Sequence, residues 1–220
     1  MFAVMFEVHP RPAQWDEYLG NARMLRPELE QVDGFVDNVR YRSLQRDGWI
    51  LSLSSWRDEK AVVRWRTQVR HHEVQDRARA EIFLDYHLRV GQFTRDTRLP
   101  SGCALREQRL DETEVGAGTT AVLIDARRAL TPGARPDEVA AWLGLASAAG
   151  PVAWDVFDAV LTPGDVILLA TWRDEAATVA FEAAAALPDG ARLRRVRIVR
   201  DYGMFDRREA PQYFPPPRDG

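Results

Sequence analysis

The feature that most constrains this chain is a motif repeated at a fixed interval. Trp56-Arg57-Asp58-Glu59-Lys60-Ala61 recurs as Trp172-Arg173-Asp174-Glu175-Ala176-Ala177, an offset of 116 residues. Gly48 and Gly164, each just ahead of the strand that runs into the motif, are also 116 apart, as are Asp85-Tyr86 and Asp201-Tyr202. Three anchors at one interval imply two copies of one structural unit. A length of 220 residues accommodates two small domains of about 100 residues each.

Both copies predict the same order of elements. In the first, residues 2–8 alternate as a strand, and Pro12 to Val32 has apolar residues at helical spacing (Trp15, Tyr18, Leu19, Ala22, Leu25, Leu29), closed by Gly34. Residues 35–44 and Trp49 to Trp56 form a hairpin about the Arg46-Asp47-Gly48 turn. Asp58-Glu59 then opens a helix predicted to run to Phe83, since acidic residues suit the positive end of a helix dipole. A last strand follows at 85–95. The second copy repeats the series at 119–127, 135–149, 152–161, 165–172, 174–187 and 191–202. The expected organisation is therefore an α+β domain over 1–97, a connector at 98–118, a second and diverged domain over 119–205, and a proline-rich tail over 206–220. A βαββαβ unit is the ferredoxin-like plan, with two helices on one face of the sheet. Its other face must be covered, and a second such sheet covers it, so the tandem predicts a dimer-type α/β barrel made within one chain.

Composition narrows the partners. Net charge is −3 and no long basic run occurs, which argues against a nucleic-acid or anionic-membrane surface. No apolar stretch approaches the roughly 20 residues of a membrane span, and the first residues read as a strand rather than a leader, so a cytoplasmic location is expected. The single cysteine, Cys103, cannot form an internal disulfide and reads as a connector thiol without a role.

Several residues together carry a family resemblance. Gly34-Phe35, the run Leu51-Ser52-Leu53-Ser54-Ser55-Trp56-Arg57-Asp58-Glu59, Trp65-Arg66, His71, Gln75, Arg79 and Asp85-Tyr86 resemble the antibiotic biosynthesis monooxygenase (ABM) domain, of the dimeric α+β barrel superfamily. The second half keeps the Trp172 motif and the Asp201-Tyr202 end, as a diverged tandem member would. The resemblance implies the barrel fold and a cavity between helices and sheet. It also implies one of two chemistries: cofactor-free oxidation of an aromatic or polyketide-like substrate, or heme degradation.

The residues themselves leave the site partly open. At about 100° per residue from Trp65, the helix 59–83 places Gln68, His72, Gln75 and Arg79 in one polar strip, with His71 further round. That strip faces either solvent or a pocket. A histidine there can move a proton or bind heme iron. Helical geometry favours His72, and the family resemblance favours His71. The expected catalytic residues are His71, His72, Trp65 and Arg79. Trp65, Gln68, Gln75, Tyr86 and His87 are expected to line the substrate site, with His71 or His72 as ligand only if heme binds. No metal site is expected, and no cofactor, with heme as the alternative. Two family positions differ: the asparagine four residues before the tryptophan is Ala61 here, and the first-strand asparagine of heme degraders falls in Met5-Phe6-Glu7-Val8. At the same offset of 116, Trp65 maps to Phe181, His71 to Leu187 and His72 to Pro188, so any site is expected in the first half.

The leading expectation is an ABM-type oxygenase acting on a small molecule. A heme protein and a non-catalytic binding module are the alternatives. The chain is expected to work as a monomer with an internal pseudo-dimer, or as a homodimer of it.

Overall fold

The computed structural model describes residues 1–106, 116–145 and 150–206, with His72 described by its backbone alone. Residues 207–220 of the expected tail, 107–115 of the connector and 146–149 of the helix expected over 135–149 lie outside the described residues. The first half runs β1 (Phe2–Pro10), a 3₁₀ turn at 12–14, α1 (Trp15–Glu30), β2 (Phe35–Ser43), β3 (Ile50–Trp56), α2 (Glu59–Arg66), α3 (Val69–Arg77), a π-helical turn (Ala78–Ile82) and β4 (Phe83–Asp96). The second half runs β5 (Thr120–Arg127), α4 (Pro136–Trp142), β6 (Ala153–Ala159), β7 (Asp165–Trp172), α5 (Glu175–Ala184) and β8 (Arg192–Gly203). All pairings are antiparallel. They close a barrel in the order β1-β3-β2-β6-β7-β5-β8-β4. Each half contributes the order 4-1-3-2 of a ferredoxin-like sheet, and the seams between halves are β2–β6 and β4–β8.

The repeated motif is a helix cap used twice. Asp58 and Asp174 sit in extended conformation at the N-caps of α2 and α5, and each carboxylate accepts from the backbone N–H three residues on, at 2.8 Å, from Ala61 and Ala177. These bonds satisfy one of the first-turn donors a helix leaves unpaired. Gly48 and Gly164 occupy the hairpin turns with φ of +74° and +93°, a region that strongly favours glycine.

The third anchor does not hold. Phe2 pairs with Trp56 and Gln92, whereas Thr120 pairs with Trp172 and Arg197. Trp172 follows Trp56 by 116 residues, but Arg197 follows Gln92 by only 105, so Asp201 is the counterpart of Asp96 and the Asp-Tyr match is coincidental. The missing stretch explains the shift. The first half inserts α3 and the π turn before β4, where the second half has only 185–191 between α5 and β8. His71 therefore has no counterpart in the second half.

With the corrected offset, the ion pairs match across the pseudo-twofold axis. Glu7–Arg89 corresponds to Asp125–Arg194, and His87–Asp201 corresponds to Arg192–Asp96. Burial pushes the Arg89 guanidinium down to about 10, with Asp201 opposing. Gly91 lets β4 meet β8 at a register shift, since a Cβ there would lie 2.3 Å from Val196 and 2.6 Å from the Arg197 carbonyl.

Strand alternation divides the core. Met1, Ala3, Met5, Leu51 and Leu53 point into the barrel with Phe93, Leu123, Phe157, Ile167 and Val196, and Cys103 and Leu105 pack against them. Cys103 is thus part of the barrel's apolar filling rather than an idle connector thiol. The outer face of the second half is solid core, where Val156, Leu168 and Ala170 meet Val139, Leu143 and Phe181.

Two predictions test this frame. Asp58→Ala and Asp174→Ala should each cost about 1 kcal/mol in denaturant unfolding, because each removes one cap bond. Glu7→Gln leaves the Arg89 charge buried without its carboxylate and should cost about 3–5 kcal/mol in the same measurement. Equal and negligible losses for all three variants would contradict the assigned roles.

Candidate active site

The cavity of interest, of about 210 Å³, lies between the first-half sheet and its helices. Two rows of side chains cross its floor in register. One row is Asn38, Ser54, Val4, Val90 and Arg200; the other is Arg40, Ser52, Phe6, Leu88 and Tyr202. Both run from β2 through β3, β1 and β4 to β8, so the floor is polar at its edges and apolar between. The second half supplies Arg200 and Tyr202. In the second half the positions equivalent to Arg40, Ser52 and Ser54 are Val156, Leu168 and Ala170, and apolar side chains fill the space. The polar floor and the α3 insertion together account for a cavity on one side and a solid core on the other.

The roof departs from the single helix expected over 59–83. Helix α2 ends at Thr67, whose hydroxyl donates to the Val63 carbonyl at 2.9 Å, and Gln68 turns to φ −64°, ψ 129° before α3 begins. That turn breaks the angular progression on which the preference for His72 rested. His71 now lines the cavity and stacks on Trp65, ring centroids 4.2 Å apart at 23°. Its Nδ1 lies 3.0 Å from the Trp65 carbonyl oxygen. A carbonyl only accepts, so the Nδ1 side of the ring is the donor in this contact. The backbone of His72 lies in α3, and its side chain is outside the described residues.

The other expected site residues separate. Trp65 and Gln75 line the cavity. Gln68 is the N-cap residue of α3 and Arg79 stands in the π turn, and neither is among the lining residues. Tyr86 is buried behind the cavity, its ring against Phe6 and Phe83 at 5.6 and 6.2 Å. Together with His87 it lines a different space, of about 660 Å³, at one end of the barrel. There His87 Nε2 bonds to Asp201, and Arg46 pairs with both Glu7 and Asp155. The structure thus brings His71, Trp65 and Gln75 together and sets Tyr86 and His87 apart from them. Among the described residues no cluster of three metal-ligating side chains occurs, and no helix is long and apolar enough to cross a membrane.

Sequence reasoning missed Tyr18, Asn21, Asn38, Arg40, Ser52, Ser54, Arg66, Arg200 and Tyr202, all in the cavity lining. The available signal was the polar alternation at 38/40 and 52/54 on strands whose intervening residues are apolar. The polar set was open to two readings, a solvated face or a cavity floor. Asn38 donates to Ser52 Oγ at 3.0 Å and to the Leu53 carbonyl at 3.2 Å, and Trp56 Nε1 donates to Ser54 Oγ at 2.9 Å, which fixes this polar edge. Burial pushes the Tyr18 phenol up, against the opposing charge and hydrogen bond of Arg40.

Val74 lines the cavity from α3. Val74→Trp should fill it, cutting the fluorescence gain of an apolar dye several-fold while leaving the unfolding midpoint nearly unchanged. Undiminished dye binding would mean that the dye reports another surface.

A sequence profile of the antibiotic biosynthesis monooxygenase family matches residues 1–77. Jasmonate monooxygenase ABM of Pyricularia oryzae (strain 70-15) is 48% identical to this chain over 223 residues, spanning 98% of the chain and 99% of that protein. Among solved structures, an anthrone oxidase-like protein is 15% identical, covering 92% of this chain and 93% of its own, with TM-score 0.33. A Lactobacillus acidophilus NCFM protein described as a monooxygenase is 8% identical, covering 91% and 94%, with TM-score 0.41.

Proposed function

This chain belongs to the antibiotic biosynthesis monooxygenase family, with a monooxygenase-like function, and from that premise we propose that it oxygenates a small, largely apolar substrate in the first-half cavity, with His71 as the base. The observation that carries this reading is the His71–Trp65 pair on the cavity wall, with Nδ1 held by the Trp65 carbonyl so that the ring is fixed in place at the cavity. A cavity of about 210 Å³ falls below the roughly 300–1,000 Å³ of drug-sized sites, which suits a compact molecule. The name of the 48% identical relative makes a jasmonate the first substrate to test. A jasmonate is a compact carboxylic acid whose ring ketone acidifies the neighbouring C–H bonds.

The chemistry asked of the protein is modest. His71 removes a proton from a CH₂ made acidic by an adjacent carbonyl, and the carbanion gives an electron to O₂. Recombination forms a C–O bond, and the imidazolium returns its proton to give a hydroperoxide. Loss of the second C–H proton breaks the O–O bond and releases water, leaving a ketone. One CH₂ and one O₂ thus become one C=O and one H₂O, with no outside electrons. Stopping at an alcohol takes two electrons from a reductant. The apolar middle of the floor keeps water from the carbanion.

Heme suits these residues less well. A porphyrin is too large for a space of this size. The proposal therefore needs no cofactor, and has the chain acting alone, its second half standing where a partner subunit would.

The test is oxygen uptake and product mass with jasmonic acid and with an enolisable aromatic ketone, each with and without a two-electron reductant. Product should form, and His71→Ala should lower kcat/KM by about 10²–10⁴, the usual worth of a general base. Absence of product from every combination, or full activity in His71→Ala, overturns the reading. A Soret band on heme titration that is lost in His71→Ala would favour the heme alternative.

A further inference from the structure

Three arginines line the first-half cavity, and they differ in their surroundings. Arg200 pairs with Glu59 at 3.6 Å, and Arg66 has a partner of its own. Arg40 is different: its Nε is buried with no hydrogen-bond partner, and among the described residues no carboxylate pairs with it. Tyr18 of α1 lines the same cavity, and its phenol lies under the influence of the Arg40 charge. A buried donor on a cation, facing a largely apolar space, is costly unless something accepts from it.

We infer that Arg40, backed by Tyr18, anchors the carboxylate head of the substrate in this cavity, so that the enzyme selects free acids over their esters. The inference rests on the proposed function for the site and adds the group that recognises the ligand.

Position and chemistry agree. Arg40 lies on β2 opposite Ser52, and its carbonyl accepts from Val160 at 2.9 Å across the seam to β6, so a rigid element from both sides fixes its backbone. The guanidinium stays charged at any relevant pH and offers a planar fork matched to a carboxylate. Tyr18 lines the cavity with Arg40, and its hydroxyl can donate to an acceptor that enters. Burial pushes that phenol up, which keeps it a donor at neutral pH. The two donors converge on the polar edge of the floor. Beyond it, Phe6 and Leu88 offer an apolar bed for the rest of the molecule.

Calorimetric titration tests this without turnover. Jasmonic acid and octanoic acid, each beside its methyl ester, are titrated into the wild-type protein and into Arg40→Met, Arg40→Lys and Tyr18→Phe. The wild type should prefer each acid, and Arg40→Met should weaken acid binding about 10–100-fold, the scale of a charged hydrogen bond, with ester binding unchanged. Arg40→Lys should restore part of the preference, and Tyr18→Phe should lose only a few-fold. Arg40→Lys and Tyr18→Phe keep the test open if Arg40→Met does not fold. Equal affinity for acid and ester in the wild type, no measurable acid binding, or a preference that survives Arg40→Met and Tyr18→Phe each overturns the inference. The two readings fail separately. Acid-selective binding without product retains the anchor and removes the oxygenase, whereas turnover of acid and ester alike retains the oxygenase and removes the anchor.

Discussion

The β4–β8 ladder is the constraint on which the rest of this molecule depends. Each half alone is a four-stranded sheet with helices on one face and unpaired edges at β2 and at β4. An exposed sheet edge presents open backbone donors and acceptors to any passing strand. Pairing β4 with β8, and β2 with β6, removes both edges of both sheets and closes the barrel. Closure also buries the second face of each sheet, where Met5, Leu53, Phe93, Phe157 and Val196 meet. The matched pairs Glu7–Arg89 and Asp125–Arg194 are the cost of long strands whose inward residues reach both barrel ends, and each buried cation there has its carboxylate.

Once the barrel is closed, the outer faces can diverge. In the second half, apolar side chains of the described strands and helices pack into one cluster on that face. In the first half, Asn38 on β2 bonds sideways to Ser52 on β3, and Arg40 of the same strand stands with Tyr18 of α1 at the cavity. The inserted α3 then stands over the sheet with His71 and Trp65 stacked beneath it. One half carries stability and the other carries a cavity, yet the site is not confined to its half. Arg200 and Tyr202 reach it from β8, so the ladder that holds the barrel also completes the pocket wall.

Much of the frame was legible along the chain, for local reasons. The Trp-Arg-Asp-Glu junction is a strand end followed by a cap, and a cap depends on a few consecutive residues. The hairpin glycines likewise reveal a turn by their own conformational needs. The Asp-Tyr pair misled because identity at a constant interval says nothing about insertions, and α3 had changed the interval from 116 to 105. The long helix misled in the same way. An amphipathic count from Glu59 to Phe83 carries no warning of a turn at Thr67 and Gln68, where a hydroxyl bonds back to a carbonyl and the backbone leaves the helical region.

By itself the sequence determined the order of the strands, the doubled unit, the two helices that open on an acidic residue and the first half as the only one rich in ionisable groups after that opening. These follow from interactions between residues close along the chain. Only the tertiary structure decided that His71 faces the cavity, that Tyr86 and His87 serve the barrel end, and that Asn38, Arg40, Ser52 and Ser54 form a floor. A strand's polar alternation is the same whether water or a pocket covers it, and the covering element lies far away in sequence.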